Sequence, residues 1–167
     1  MARQLWLLRH ADAEPHGTRV DAQRQLTPRG EEQARAAGVA MARLGVVFEE
    51  VLYSPKVRAR STAELAAEGW SEEQRATLHE YPALAGGFAA GDALDALGAV
   101  PADSGRLLLI GHEPDLSGVA SALSGARIDL KKGGLAVLRL EGAGGELVVL
   151  LRPRELALIA GLPVARD

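Results

Sequence analysis

The sequence contains no cysteine. This absence excludes disulfide bonds, a thiolate nucleophile and any metal site built on thiolates. Proteins without cysteine are also compatible with a reducing compartment, so we expect a cytoplasmic location.

Long hydrophobic runs are missing as well. Apolar stretches such as Leu5–Leu8 and Leu107–Ile110 are short, and none approaches the roughly 18 residues that a membrane-spanning helix requires. Strand-like sequence begins at Gln4, which leaves no room for the basic, apolar and cleavage regions of an export signal. We therefore expect neither a membrane segment nor secretion.

The chain also lacks a concentration of charge of one sign. Its formal net charge is −3, and its arginines and lysines are scattered, so no basic face of the kind that nucleic acid requires is predicted. With 167 residues, of which 47% are hydrophobic, the chain can bury a substantial core. Because we find no repeat, low-complexity block or long linker, we predict a single domain over residues 1–167.

Segments with strand character alternate with segments of helical periodicity, which indicates the α/β class. Thr27 and Pro28 are typical of a helix N-cap and first helical position, and we assign the same two roles to Ser54 and Pro55 for a second helix. Pro153 starts the last helix. The predicted strands are Gln4–Arg9, Glu50–Tyr53, Thr77–His79, Arg106–Ile110 and an antiparallel hairpin or sheet-edge pair, Leu135–Leu140 and Glu146–Leu151.

Two histidines occur where a buried strand gives way to a loop. His10 follows the first strand, and His112 follows the strand that ends at Ile110. Because ligands of open α/β sheets bind outside the carboxyl ends of the strands, both histidines can face one crevice. Arg9 stands beside His10, and Arg58 falls in the first turn of the second helix.

Arginine and histidine in this combination are suited to phosphate chemistry. A guanidinium presents a planar fork of donors that matches phosphate oxygens. A nearby cation also favours the neutral form of a histidine, which is the form that attacks phosphorus. Such a site requires no metal and no other cofactor.

Five segments resemble the histidine phosphatase superfamily, and within it the small SixA-type phosphohistidine phosphatases. Leu8-Arg9-His10-Ala11 is similar to the opening signature, and Arg24 to Gly30 is similar to the segment that follows it. The run from Ser54 to Thr62 resembles the motif Ser-Pro-x-x-Arg-Ala-x-x-Thr. Gly111 to Ser117 resembles the second histidine motif, and Lys131 to Leu135 is also SixA-like.

The resemblance implies a three-layer α/β/α sandwich of the phosphoglycerate mutase type, with a mostly parallel sheet and an antiparallel edge strand. It implies that His10 accepts the phosphoryl group while Arg9, Arg58 and His112 hold the phosphate. Larger members use a carboxylic acid to protonate the leaving group, and the corresponding region here offers Glu80 as the candidate acid.

The expected substrate is phosphohistidine on a protein. Imidazole, with a reference pKa near 6.5, leaves more easily than an alkoxide and can be protonated by water. The chain also lacks the long insertions that build a substrate cap, so a protein-borne phosphohistidine could enter. We expect a phosphohistidine-bearing protein and phosphate as partners.

Other functions stay open at this stage. One is a phosphatase of small phosphoesters, and another is a metal-dependent phosphohydrolase that uses His10, Asp12, His112 and Asp115. A silent phosphate reader and a phosphomutase are further alternatives. Arg24 and Thr27 are expected at most to shape the site, and His16 and His79 are expected on the surface.

Overall fold

A computed structural model of the chain describes residues 2–164. A six-stranded sheet forms its centre, in the order β3-β2-β4-β1-β5-β6. The strands are β1 Arg3–Arg9, β2 Glu50–Tyr53, β3 Leu78–Glu80, β4 Arg106–Gly111, β5 Leu135–Glu141 and β6 Gly144–Leu151. The helices are α1 Pro28–Arg43, α2 Val57–Ala66, α3 Glu72–Arg75, α4 Ala90–Ala96, α5 Asp115–Ser124 and α6 Pro153–Ala160.

Four strands, β1 to β4, run parallel, and β5 pairs antiparallel with β1. β6 in turn pairs antiparallel with β5 and occupies the edge. The predicted fold class is therefore confirmed. One detail differs from the prediction of an antiparallel edge strand. β5, which runs antiparallel to β1, lies one place inside the edge of the sheet. The predicted hairpin accounts for this arrangement, since its second strand must lie outside its first.

Helices cover both faces of the sheet. One core packs residues of α4 and α5 against side chains such as Leu5, Leu7 and Leu109. The other packs α1, α2 and α6 against side chains such as Leu8 and Ile110. Strands β1 and β4 lie between these cores and are therefore buried on both faces, which explains their continuous apolar sequence.

Helix α1 begins as the sequence predicts. Thr27 is its N-cap and accepts a hydrogen bond from the backbone N–H of Gly30, with Pro28 at the first position. The prediction for α2 is wrong. That helix begins at Val57 with Lys56 as N-cap and no side-chain cap, so Pro55 precedes the helix. The Ser54 hydroxyl contacts the His112 ring and the backbone N–H of Lys56 instead of a helical N–H.

Gly38 of α1 allows α1 and the end of α2 to come into close contact. A Cβ atom at this position would lie 1.8 Å from the carbonyl oxygen of Ala66. The Gly38 carbonyl also accepts a hydrogen bond from the indole N–H of Trp70 at 3.1 Å. The two helices can therefore pack this closely only if residue 38 is glycine.

We predict that Gly38→Ala lowers the free energy of unfolding by about 3 kcal/mol, because the added methyl group forces the helix backbones apart. Urea denaturation measures the change. Gly118→Ala is the matched control, since Gly118 is exposed within α5 and a Cβ there meets nothing within 4 Å. We expect Gly118→Ala to raise the free energy of unfolding by roughly 0.5–1 kcal/mol. Equal stability of the two variants would contradict the close-contact interpretation.

Among the described residues, no helix combines the length and apolar character needed to cross a membrane.

Candidate active site

His10 lies directly after β1 and is 5% exposed. Its Nδ1 lies 2.8 Å from the carbonyl oxygen of Ala11. A carbonyl can only accept, so Nδ1 carries the proton of the neutral ring and Nε2 has a free lone pair. The Nε–H of Arg58 donates to this Nε2 at 3.3 Å. The local backbone therefore holds the ring so that Nε2, which carries the lone pair, faces the Arg58 guanidinium.

Thr62 fixes the position of Arg58 relative to His10. Its hydroxyl donates to the carbonyl of Arg58 at 2.7 Å, one helical turn earlier. The Thr62 hydroxyl oxygen also accepts a hydrogen bond from the backbone N–H of Ala11 at 3.1 Å. Helix α2 and the turn that carries His10 are thus joined through one buried side chain. This contact gives the Arg58-to-Thr62 spacing a structural reason.

His112 follows β4, and its ring centroid lies 5.3 Å from that of His10. Its Nε2 lies 2.7 Å from the hydroxyl oxygen of Ser54, which also accepts the backbone N–H of Lys56 at 3.2 Å. If the Ser54 hydroxyl donates to Nε2, the proton of His112 is on Nδ1. Within residues 2–164 this buried Nδ1 has no hydrogen-bond partner. In that tautomer Nδ1 is a donor available to an oxyanion.

Arg9 provides a second available donor. Its Nη1 donates to the carbonyl of Leu130 at 3.0 Å, whereas its buried Nε has no partner in the part of the chain that the structure describes. The backbone N–H of Gly133 donates to the carbonyls of Arg9 and His10 at 3.2 and 3.0 Å. The segment Lys131 to Leu135, which resembles the SixA-type proteins, therefore packs against the backbone of Arg9 and His10.

Burial and neighbouring cations keep both histidines neutral. The pKa of His10 is lowered to about 3, chiefly by burial and further by His112, Arg58 and Arg9, against an opposing hydrogen bond to Ala11. The pKa of His112 is lowered to about 4, again mainly by burial, with contributions from Arg58 and Lys56. A neutral His10 is the form that can attack phosphorus.

These lowered pKa values predict an acid-sensitive fold. In the unfolded chain both histidines take up protons below about pH 6.5, whereas in the folded chain they stay neutral until the pH nears their lowered values. Stability is therefore fully present above pH 6.5 and is lost as the pH falls. We expect the loss between pH 7 and pH 5, measured by urea unfolding, to be roughly 2 to 4 kcal/mol smaller in the double variant His10→Gln, His112→Gln. Parallel losses in both proteins would contradict this expectation.

Asp21, which no sequence pattern indicates as a site residue, lies in a short 3-10 helix, Asp21–Gln23. Its carboxylate contacts the side chains of Arg24, Lys56 and Arg58 at 3.0, 3.0 and 3.3 Å. Three cations near a phosphate site require a counter-charge, but nothing in a single sequence indicates which acid of a polar loop supplies it. Ser54 was also missed as a partner of His112, because it was assigned to a helix cap.

Glu80 lies at the carboxyl end of β3, and strands β2 and β4 separate it from β1. Its carboxylate forms an ion pair with Arg60, and this pairing raises the pKa of Arg60. Glu80 is therefore engaged as an ion-pair partner on the rim, and its role as proton donor stays a prediction.

The metal-dependent alternative needs the carboxylates of Asp12 and Asp115 as ligands beside the two histidines. Asp12 accepts the Thr27 hydroxyl at 2.7 Å, and Asp115 accepts the backbone N–H of Phe88 at 3.1 Å. Both carboxylates are thus committed to loop contacts. Over residues 2–164, no group of three or more histidine, aspartate or glutamate side chains is placed to hold a metal ion.

Comparison with known proteins bears on this arrangement directly. Residues 5–85 match the family described as histidine phosphatase superfamily (branch 1). The structure of a candidate phosphohistidine phosphatase SixA from Nakamurella multipartitia is 30% identical, with a TM-score of 0.76, over 92% of this chain and 97% of that one. The chain belongs to the histidine phosphatase superfamily. The resemblance inferred from the motifs is therefore confirmed.

Two further solved structures and one further sequence are similar to this superfamily member. A protein histidine phosphatase SixA complexed with tungstate has a TM-score of 0.77 at 23% identity, over 92% of this chain and 99% of that one. An alpha-ribazole phosphatase from Shigella flexneri has a TM-score of 0.67 at 21% identity, over 90% and 96%. An uncharacterized protein of Picosynechococcus sp. (strain ATCC 27264 / PCC 7002 / PR-6) is 32% identical over 90% of this chain and 97% of its own length.

Proposed function

We propose that this histidine phosphatase removes phosphate from phosphohistidine on a protein, without a metal, through a phosphorylated His10. The observation that carries the proposal is the convergence of one oriented nucleophile and two buried, unpartnered donors. His10 Nε2 faces Arg58, and both Arg9 Nε and His112 Nδ1 lack partners within the described chain. A bound phosphoryl group would accept hydrogen bonds from these donors.

The reaction would proceed in two displacements. His10 Nε2 attacks phosphorus as the bond between phosphorus and the substrate imidazole breaks, and the released imidazole takes a proton from water. A second water molecule then attacks the phosphorus on His10 as the bond from phosphorus to Nε2 breaks, and the hydroxide left by the first step takes up its proton. Inorganic phosphate is released and His10 returns to its neutral form. Charge spreads over the equatorial phosphoryl oxygens in each transition state, where Arg9, Arg58 and His112 stabilise it.

The choice of phosphohistidine rests on the leaving group. Within the described residues, the acid candidate Glu80 forms an ion pair with Arg60 on the rim. The carboxyl group of Asp21 contacts Arg58, but its cationic neighbours hold it in the charged form, so it has no proton to donate to a leaving group. An imidazole leaving group tolerates this arrangement because water can protonate it, whereas an alkoxide requires a positioned acid. The similarity to the candidate phosphohistidine phosphatase SixA from Nakamurella multipartitia supports the same substrate class. A cytoplasmic location, expected from the missing cysteine, is part of this proposal.

A comparison of two substrates that differ in their leaving group tests the substrate assignment. Turnover of a phosphohistidine peptide and of an alkyl phosphate should be compared in excess chelator. We expect a kcat/KM at least about 10³ higher for phosphohistidine, a factor within the range that general acid catalysis supplies. Glu80→Gln should change neither rate by more than about two-fold. Equal rates for the two substrates would defeat the phosphohistidine assignment, and a loss restored by added metal would overturn the metal-free mechanism.

Small phosphoesters are the second candidate class. The fold similarity to an alpha-ribazole phosphatase favours it, although similarity at this level of identity extends to the fold alone. The alkyl phosphate arm of the same experiment distinguishes the two classes. If Glu80 is the acid for such a substrate, Glu80→Gln will slow the alkyl ester selectively.

A further inference from the structure

Asp21 lies at the centre of a cluster of cations beside the nucleophile. Its Oδ2 contacts Lys56 Nζ at 3.0 Å and Arg58 Nη2 at 3.3 Å. Its Oδ1 contacts Arg24 through Nη2 at 3.0 Å and Nε at 3.1 Å. The hydrogen bond from Lys56, together with Arg58 and Arg24, holds the pKa of the Asp21 carboxyl well below its usual range. Asp21 is therefore charged whenever the enzyme is folded near neutral pH.

The contacts between Asp21 and Arg58 decide how the arginine fork is oriented. Arg58 Nη1 donates to the backbone carbonyl of Asp21 at 2.8 Å, and Nη2 donates to its carboxylate. With both terminal nitrogens held by one residue, the remaining Nε–H is directed at His10 Nε2. Because the guanidinium is planar, holding its two terminal nitrogens also sets the direction of the Nε–H bond. The orientation of Arg58 toward the nucleophile thus depends on Asp21.

The loop that carries Asp21 is itself anchored. Arg24 is 5% exposed, and its Nη1 donates to the carbonyl of Glu14 at 2.6 Å while its other nitrogens bind Asp21. Asp21 is therefore fixed between two buried arginines, one structural and one in the site. Its side chain is nevertheless 45% exposed, so the carboxylate is open to solvent where it contacts Arg58.

We propose that Asp21 is a positioning residue that aims Arg58 at His10 and limits the affinity of the pocket for free phosphate. The inference deepens the proposed phosphatase function and rests on it. A carboxylate beside the phosphate repels the bound dianion and so favours release of the product. Loss of the carboxylate has two effects. The positive charges of Arg24, Lys56 and Arg58 are no longer compensated, and Arg58 Nη2 loses its partner. Both changes lower kcat, while only the first tightens phosphate binding.

Asp21→Asn separates these effects by two measurements. The kcat for a phosphohistidine peptide should fall about ten-fold or more, because small displacements of a catalytic group have large effects on rate. The dissociation constant of inorganic phosphate, measured by calorimetry, should fall about five-fold, because one repulsive charge is gone. If Asp21 served only the folding of the protein, its loss would lower kcat and also weaken phosphate binding. Glu146→Gln is the control, since it removes one carboxylate paired with Arg139 on the distant hairpin and should alter neither value.

Asp21→Glu restores the charge but shifts its position, and it also decides the question if Asp21→Asn does not fold. We expect its phosphate affinity to stay within two-fold of the parent protein while kcat stays at least five-fold lower. An unchanged kcat in either variant, or unchanged or weaker phosphate binding in Asp21→Asn, overturns the proposal. Phosphate binding needs no turnover, so it tests Asp21 even if phosphohistidine proves not to be the substrate.

Discussion

Replacing His10 with alanine should reduce turnover by a factor of about 10⁴ or more while leaving phosphate binding largely intact. The rate falls because the proposed reaction has no other route. In a two-step displacement the residue that carries the intermediate cannot be replaced by electrostatics alone. Phosphate binding persists because the donors of Arg9, Arg58 and His112 remain. Steady-state kinetics and calorimetric phosphate titration measure the two effects separately.

His79→Ala is the matched control for this variant. His79 lies in β3 with a side chain that is 57% exposed, so its loss should leave turnover within about two-fold. Turnover by His10→Ala above about one tenth of the parent rate would show that another group accepts the phosphoryl group. Loss of phosphate binding together with turnover would instead show that the variant has lost the site as a whole.

Replacing Arg58 with lysine should lower kcat/KM by about 10² to 10³, the range found when one preorganised donor to a developing oxyanion is removed. The substitution keeps the positive charge. It removes the planar fork, and with it the contact of Nε to His10 and the two contacts to Asp21. A single ammonium cannot make all three contacts. The activity loss therefore measures geometry, with charge held constant.

Arg35→Lys provides the comparison for Arg58. Arg35 lies on α1 and forms an ion pair with Glu68 at 3.0 Å on the surface, where an arginine-to-lysine change is expected to have little effect. The two variants should therefore differ by at least 50-fold in kcat/KM. A loss of less than about three-fold in Arg58→Lys would mean that the guanidinium contributes only its charge.

The parts of the site that follow from strand ends could be predicted from the sequence. A buried parallel strand presents its carboxyl end at one edge of the sheet, so the residues after β1 and β4 must meet there. His10 and His112 do meet, with ring centroids 5.3 Å apart. Arg58 follows from the same rule, because α2 begins just after β2. Continuous apolar runs and apolar residues at three- to four-residue spacing likewise predicted the strands and helices of the fold.

Parts of the site that depend on loop geometry could not be predicted. Ser54 has the residue type and position of a helix cap, yet its hydroxyl binds His112, and only the distance between two strand ends reveals this contact. Asp21 belongs to a polar loop whose local sequence does not specify a conformation. Glu80 has the residue type of an acid, but its pairing with Arg60 depends on the packing of β3 beside α2.

Location of the phosphoryl group on the enzyme tests the central claim most directly. The protein should be mixed with a phosphohistidine peptide in excess chelator, quenched without acid, and digested for mass spectrometry, with phosphoramidate bonds kept intact. We predict phosphate on His10, transiently and without added metal, and none on His112 or His79. Phosphate on any other residue, or turnover with no phosphorylated enzyme at times shorter than one catalytic cycle, would contradict the account.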